Sequence, residues 1–294
     1  MSENNQIQAK KVKRASFGQF WRIFAIEAFL FFLTFSLGIA AAFRINRIFK
    51  VQKTEIPQIS FWKFIFYFFF ATLFIFLIVR FVKFKKQKGI IFKILFVLAV
   101  FWGGVLLLNV WIPGIISLIL ITVLILWWWR LPSVFIQDLC IVLGIAGVGS
   151  VLGLSLTPGI IIPLLIFFSI YDFIAVYKTK HMVEMAKEMI KSRAILALVI
   201  PPDIFGFRKN LGGVKPGGKF LVLGGGDIVF PLLLSVSLIP FGILNSLIVA
   251  FFSLIGLFVG FWFFVSQKTR QPIPALPPIA LFSIIGYLIT KIFY

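Results

Sequence analysis

The chain has 294 residues, of which 61% are hydrophobic and only 13% are charged. A soluble globular domain is about half apolar and a quarter charged, so this composition excludes an ordinary soluble enzyme, a disordered protein and a DNA-binding domain. The 39 phenylalanines and 8 tryptophans are more than a soluble core of this length needs. We therefore expect an all-α, polytopic membrane protein.

The charge balance is strongly basic, with 29 Lys and Arg against 9 Asp and Glu. In a membrane protein this excess indicates cytoplasmic loops that contact anionic lipid headgroups, rather than nucleic acid binding. The single cysteine, Cys140, excludes an intramolecular disulfide and a CxxC site, and the single histidine, His181, disfavours a histidine metal centre. We predict membrane lipid as a partner, no nucleic acid, no metal and no cofactor.

Apolar stretches of about 20 residues predict nine transmembrane helices. Together they predict a basic cytoplasmic segment at 1–18, helices one to six within 19–177, a cytoplasmic segment and loop at 178–219, and helices seven to nine within 220–294. The nine predicted spans are Gln19–Phe43, Ile59–Val79, Ile90–Ile112, Gly114–Trp129, Ser133–Leu156, Ile160–Tyr177, Phe220–Leu238, Phe241–Val265 and Ala275–Phe293.

Basic residues divide unequally between the two sides that nine spans define. With the N-terminus in the cytoplasm, 23 of the 29 Lys and Arg fall on the cytoplasmic side and 6 on the other. Because basic residues favour the cytoplasmic side, we predict a cytoplasmic N-terminus and a C-terminus outside.

The one long connection, at 178–219, has three parts. Thr179–Arg193 places methionines and an isoleucine among Lys and Glu, which indicates an amphipathic segment at the interface. Ile195–Pro202 is a short apolar run that two prolines end. Gly206–Gly218 is rich in Gly, Pro and Lys, which predicts a mobile loop.

Four acidic residues, Glu27, Asp138, Asp172 and Asp227, fall within predicted spans. An ionised carboxylate at the centre of a spanning helix costs roughly 2.5–3.5 kcal/mol, so each of these residues needs a reason. For Glu27 and Asp138 the alternatives are a hydrogen bond in helix packing, a side chain that reaches the interface, or a functional role.

Asp172 and Asp227 lie at similar depths on consecutive antiparallel helices, about 9 and about 12 Å from the cytoplasmic boundary at 1.5 Å per residue. This arrangement permits a carboxylate pair, whose members share one proton in a low dielectric. One member then acts as general base on a water while the other, protonated, polarises a carbonyl, as in aspartic proteases. Depth alone does not select these two, since Asp138 is also about 12 Å deep.

Three motifs stand in order on the predicted sixth, seventh and ninth helices: Tyr171–Asp172, Leu223–Asp227 (LGGGD) and Pro274–Pro277 (PALP). Together they resemble the YD, GxGD and PAL motifs of the presenilin and signal-peptide-peptidase family of intramembrane aspartyl proteases. The stretch Tyr171–Met182 is similar to the microbial presenilin-like branch. The resemblance is clearest from Leu164 to Phe282 and agrees with the helix count.

The resemblance implies an intramembrane aspartic endopeptidase that hydrolyses bonds within transmembrane protein substrates, in the plasma membrane of a microbe. It assigns catalysis to two residues and gives supporting or substrate-positioning roles to others. The implied catalytic residues are Asp172 and Asp227, the supporting residues are Tyr171, Gly224, Gly225 and Gly226, and the substrate-positioning residues are Pro274, Ala275, Leu276 and Pro277.

Each supporting motif also has a purely structural interpretation. Gly224 and Gly226 remove side chains beside Asp227, which lets a backbone approach, but glycines also permit close helix packing. Tyr171 either donates a hydrogen bond near the pair or only packs. The PALP prolines expose backbone to an active-site cavity, or they simply begin a helix.

An unwound substrate is expected to enter between helices and to pair as a strand with exposed backbone of Ile195–Ile200, Lys219–Leu223 or the PALP segment. By analogy with presenilins, Asp203–Gly218 is a gate or a self-cleavage site. The alternatives are a transporter or cation channel that uses the intramembrane acids, a non-catalytic helix-binding scaffold, and a prepilin-type GxGD peptidase. The PALP motif disfavours the last of these.

Overall fold

The computed structural model describes residues 17–81, 85–178, 189–214, 220–267 and 272–292. Within these ranges the chain forms nine α-helices that we number in chain order, a short helical stretch at 189–192, and one antiparallel pair of strands. The helices are α1 (Phe17–Val51), α2 (Phe61–Phe81), α3 (Lys85–Leu108), α4 (Gly114–Arg130), α5 (Val134–Ser155), α6 (Pro158–Tyr177), α7 (Gly225–Ser237), α8 (Ile243–Ser266) and α9 (Leu276–Ile292), and the strands are β1 (Ala197–Ile200) and β2 (Leu221–Gly224).

Five of the described helices, α1, α3, α5, α6 and α8, are long and apolar enough to cross a bilayer. The apolar parts of α2, α4, α7 and α9 are shorter, with 10 to 17 residues each. The predicted all-α, polytopic class is therefore confirmed, whereas the count of nine spans stays a prediction. At its C-terminal end α1 is longer than predicted and continues past Phe43 to Val51.

Helix α5 lies at the centre of the bundle, packed against α1, α3 and α7. Its glycines allow this packing, because a Cβ at Gly147 would overlap the carbonyl oxygen of Gly103 on α3. Gly153 has the same relation to α7, where its Cβ would lie 2.6 Å from a methyl carbon of Val236. Small residues at helix crossings let helices approach closely inside a membrane, so they position α7 against the core.

The predicted seventh span is wrong over its first residues. Residues 221–224 form β2, which pairs with β1 in the register Ala197↔Gly224 to Ile200↔Leu221, and the helix begins only at Gly225. Glycine is a poor helix former, so the run at 224–226 weakens any helix that would continue back into residues 221–223. The strand pairing satisfies the backbone groups of those residues instead. The short apolar run before Pro201 is β1, whose four residues are all buried.

Two neighbouring side chains of α5 hold β1 in place. Gln137 donates through Nε2 to the carbonyl of Ile195 and accepts the indole N–H of Trp128 at 2.8 Å. Asp138 accepts the backbone N–H of Val199 through Oδ1 at 2.7 Å. A two-stranded ribbon is marginal by itself, so these polar contacts fix its position among the helices.

The long connection is more ordered than predicted in its described part. Residues 204–208 and 211–213 form two 3₁₀ turns, and Leu211 is fully buried. Asp203 caps the first turn by accepting the N–H of Gly206 at 2.8 Å. Most of the predicted amphipathic segment, at 179–188, and residues 215–219 of the predicted mobile loop lie outside the described residues. Residues 189–192 are helical, and the proposed gate and self-cleavage site stay predictions.

Candidate active site

Asp172 lies near the end of α6 and is buried, with 4% of its surface exposed. Its Oδ2 accepts the backbone N–H of Leu276, the first residue of α9, at 3.3 Å. Amides in the first turn of a helix have no acceptor within that helix, and a carboxylate at this end is favoured by the helix dipole. The PALP segment is therefore hydrogen-bonded directly to Asp172.

Asp227 is the third residue of α7 and is 8% exposed. Its carboxylate turns back toward Gly224, the N-cap residue of the same helix, where a Cβ would lie 2.9 Å from Oδ2. An acidic side chain at the third helical position commonly reaches back to the N-cap amide in this way. The glycine-rich turn thus sets the direction of the Asp227 carboxyl group.

The structure brings Asp172 and Asp227 close enough for their carboxyl groups to interact electrostatically. An aromatic contact holds the two helices together beside them. Phe168, four residues before Asp172, stacks on Phe230, three residues after Asp227, with ring centroids 4.5 Å apart and an interplanar angle of 23°. Residues three or four apart share a helix face, so this stack lies one turn from both acids.

The other two intramembrane acids occupy different places. Glu27 on α1 is 4% exposed and interacts electrostatically with Asp227. It therefore does not reach the interface, and its Oε2 has no hydrogen-bond partner among the described residues. Asp138 holds β1 through Val199, and its Oδ2 likewise has no partner there. Sequence reasoning left both roles open, and the structure brings only Glu27 to the pair.

The family model for "Signal-peptide peptidase, presenilin aspartyl protease" matches residues 27–294, almost the whole chain. The chain belongs to this family. The family resemblance seen in the motifs is confirmed. The protein is an integral, multi-pass membrane protein and an intramembrane aspartic endopeptidase.

The fold of this presenilin-family protease is similar to that of two solved structures of a presenilin family intramembrane aspartate protease. In the C222 crystal form, the TM-score is 0.59 at 22% sequence identity, over 92% of this chain and 97% of the other. In the P2 form, the TM-score is 0.58 at 22% identity, over 91% and 96%. No curated protein matches the sequence at a significant level.

The three glycines before Asp227 differ in how closely the protease packs around them. A Cβ at Gly224 would lie 2.9 Å from Oδ2 of Asp227, and one at Gly225 would lie 3.0 Å from the carbonyl oxygen of Leu196. A Cβ at Gly226 would meet only Phe230, at 3.9 Å. The sequence argument named Gly224 and Gly226 as the close approaches, whereas the structure shows them at Gly224 and Gly225.

Tyr171 and the PALP residues lie in different surroundings. Tyr171 is 52% exposed, and the described contacts include no hydrogen bond from its hydroxyl to either aspartate. Pro274 and Leu276 are buried, and Ala275 lines a small cavity together with Glu27 and β2. Both interpretations of Tyr171 therefore stay predictions, whereas the contact of Leu276 with Asp172 and the place of Ala275 in the cavity wall put PALP next to the acids.

Sequence reasoning missed several residues that shape the site. The stack of Phe168 on Phe230 has a weak signal, because each ring is one helical turn from an aspartate. Gln137 has no local signal that ties it to the site, because it binds the carbonyl of Ile195, 58 positions away. Glu27 was named as an intramembrane acid, but nothing local ties it to Asp227, 200 positions away, with which it interacts electrostatically.

Proposed function

We propose that Asp172 and Asp227 are the catalytic pair of this protease, and that it hydrolyses peptide bonds within transmembrane segments of membrane proteins. One observation carries the proposal: two buried carboxyl groups that interact electrostatically lie on consecutive helices. Asp172 accepts the backbone amide of Leu276 in the PALP motif, and the Asp227 carboxyl lies against Gly224 in the LGGGD motif.

The pair shares one proton and holds a water between its two carboxyl groups. As the water oxygen attacks the scissile carbonyl carbon, the ionised carboxylate takes a water proton and the protonated carboxyl gives its proton to the carbonyl oxygen. The tetrahedral diol then collapses as a proton passes to the amide nitrogen and the C–N bond breaks. The products are a carboxylic acid and an amine, and the pair again holds one proton.

The substrate segment adds as a strand to the open edge of β2. Val199 donates its N–H outward to Asp138, so the pair Val199↔Val222 does not exchange hydrogen bonds within the ribbon. The N–H and C=O of Val222 therefore point away from β1, and Val222 lines the same small cavity as Ala275 and Glu27. Strand addition through main-chain groups suits an enzyme whose apolar substrates offer few side-chain signals.

The remaining motif residues support this geometry. Gly224 leaves room for the Asp227 carboxyl group, and Gly225 leaves room for the carbonyl oxygen of Leu196. Gly226 follows Gly225 in the first turn of α7 and directly precedes the acid. Pro274, Ala275, Leu276 and Pro277 position the substrate strand and orient Asp172 through the amide of Leu276. Tyr171, half exposed and next to Asp172 on α6, supports the site from the helix that carries this acid.

The decisive test is cleavage of a single-span model substrate by detergent-purified protein. We expect the wild type to cleave, and both Asp172→Ala and Asp227→Ala to lose activity by at least about 10²- to 10⁴-fold, because each removes an acid–base group. Asp138→Asn is the matched control, since it alters an intramembrane acid that contacts β1 and not the pair. Full activity of either alanine variant would exclude this catalytic pair.

We further propose the orientation and location that the basic residues indicate: an N-terminus in the cytoplasm and a C-terminus outside, in the plasma membrane of a microbe. The segment boundaries at 18, 177 and 219 follow from the same count of spans. The variants Lys53→Cys and Arg208→Cys, each made in a Cys140→Ser background, test this proposal. A membrane-impermeant thiol reagent applied to intact cells should label the cysteine at 53 and not the one at 208, and the reverse pattern would invert the topology.

A further inference from the structure

A small cavity of about 60 Å³ lies between α1, β2, α8 and the PALP segment. Its walls are mostly apolar, and they include three residues of β2, the strand that leads to Asp227. Glu27 is the acidic residue in its lining. The residues that matter here are Glu27, Leu221, Val222, Leu223 and Ala275.

Glu27 is costly for the fold in this position. It is 4% exposed on a transmembrane helix, and its Oε2 meets no hydrogen-bond donor among the described residues. A buried polar atom without a partner destabilises a fold, and intramembrane acids are rare unless they have a function. In either protonation state a carboxyl group still offers an acceptor oxygen, so Glu27 lacks a donor.

A strand on the open edge of β2 would supply that donor. Backbone N–H groups of a strand point alternately to its two sides. A substrate that pairs with Val222 on one side turns its remaining N–H groups toward the opposite wall. Glu27 lines the same cavity as Val222, and it also lies near Asp227, so this wall is close to the bond that is cut.

We propose that Glu27 is a substrate-binding residue, whose carboxyl oxygen accepts one backbone N–H of the unwound substrate on the side turned away from β2. The inference rests on the proposed function, in that it requires a substrate strand on β2. Glu27 would then select substrates by their backbone rather than by their side chains. The substrate must carry a free N–H at one position near the scissile bond, and proline is excluded there.

The first test compares Glu27→Gln, which keeps an acceptor oxygen, with Glu27→Met, which removes it at similar volume. We expect Glu27→Gln to keep kcat/KM within about threefold of the wild type. Glu27→Met should lower it by about ten- to a hundredfold, mainly through KM, because the substrate N–H is left unpaired. Its melting temperature should equal or exceed that of the wild type, because an unpaired buried polar group is gone. Wild-type cleavage by Glu27→Met overturns the proposal.

A second test uses single-span peptides in which one amide near the cleavage site is replaced by an ester, which removes one N–H. In the wild type, one ester position should weaken binding and cleavage about tenfold. In Glu27→Met the same replacement should have no effect. An equal penalty in both proteins, or no sensitive position at all, contradicts the inference and indicates a structural role.

The ester experiment also separates this inference from the proposed catalysis. The dissociation constants of the amide and ester peptides report binding alone, so they do not depend on whether the protein cleaves the peptides. If Asp172→Ala and Asp227→Ala keep activity but the ester penalty depends on Glu27, the catalytic assignment fails and the inference stands. If the aspartate variants are inactive and the penalty is absent, the catalytic assignment stands and the inference fails.

Discussion

Helices α5 and α2 are both strongly apolar, yet one lies inside the bundle and the other at its edge. Most of the α5 side chains are buried, and the helix carries four glycines after Gln137, at 144, 147, 149 and 153. Helix α2 carries no glycine, and Phe66, Tyr67 and Phe69 are all more than half exposed. In a bilayer, therefore, hydrophobicity does not separate inside from outside, and the size of the residues does.

Helix α6, which carries the candidate catalytic Asp172, lies between these two kinds of packing. On one side Phe168 stacks on Phe230 of α7, and α7 packs against α5. On the other side Phe168 meets Phe68 of α2 edge-on, with ring centroids 5.4 Å apart. Asp172 thus lies between closely packed, glycine-rich α5 with its neighbour α7 and the exposed aromatic helix α2. The following predictions test the difference between these two surroundings.

The largest effect is expected from Gly147→Val in α5. Its side chain would overlap the backbone carbonyl of Gly103, which cannot move away as a flexible side chain can, so we expect a loss above about 3 kcal/mol and little folded protein. Ala71→Val adds comparable bulk on exposed α2 and should leave the melting temperature within a few degrees. The yield of monodisperse protein and its melting temperature measure both variants, and equal behaviour would remove the distinction between the helices.

A large effect on activity, with less effect on folding, is expected from Gly224→Ala. The new Cβ would press on the Asp227 carboxyl at 2.9 Å, and a displacement of about 1 Å in a catalytic group costs about 10²-fold in rate. Gly226→Ala has only an ordinary contact at 3.9 Å and should stay within a few-fold of the wild type. The rate of cleavage of the model substrate is measured for both variants. If Gly226→Ala loses more activity than Gly224→Ala, then crowding at Gly224 does not control the position of the Asp227 carboxyl.

The smallest effect is expected from the aromatic neighbours on α6. Phe168→Ala removes the stack that joins α6 to α7, and such aromatic pairs contribute about 0.5–1.5 kcal/mol, so cleavage should fall about three- to tenfold. Phe167→Ala removes a ring that is 61% exposed and should change activity by less than twofold. Equal losses in the two variants would mean that the stack does not position the aspartates.

Much of the site is readable from the sequence because its signals are local. Asp172, Asp227 and PALP stand out as acids and prolines inside apolar segments, and their order along the chain indicated the family that the family model confirms. The first residues of the seventh span were mispredicted, because an apolar run before three glycines has the same composition in a helix or a strand. The pairing of this four-residue run with β1 makes it a strand in the structure.

The sequence by itself determined the membrane class, the protease family and the candidate aspartates, since composition and short motifs do not depend on how the helices are arranged. Only the tertiary structure decided that Glu27 lies beside Asp227, that Asp138 holds β1, and that Gly224 rather than Gly226 is crowded. The physical reason is that the rotation of each helix about its axis selects which side chains meet. A nearly uniform apolar sequence carries little information about that rotation, which is set by close packing between distant segments.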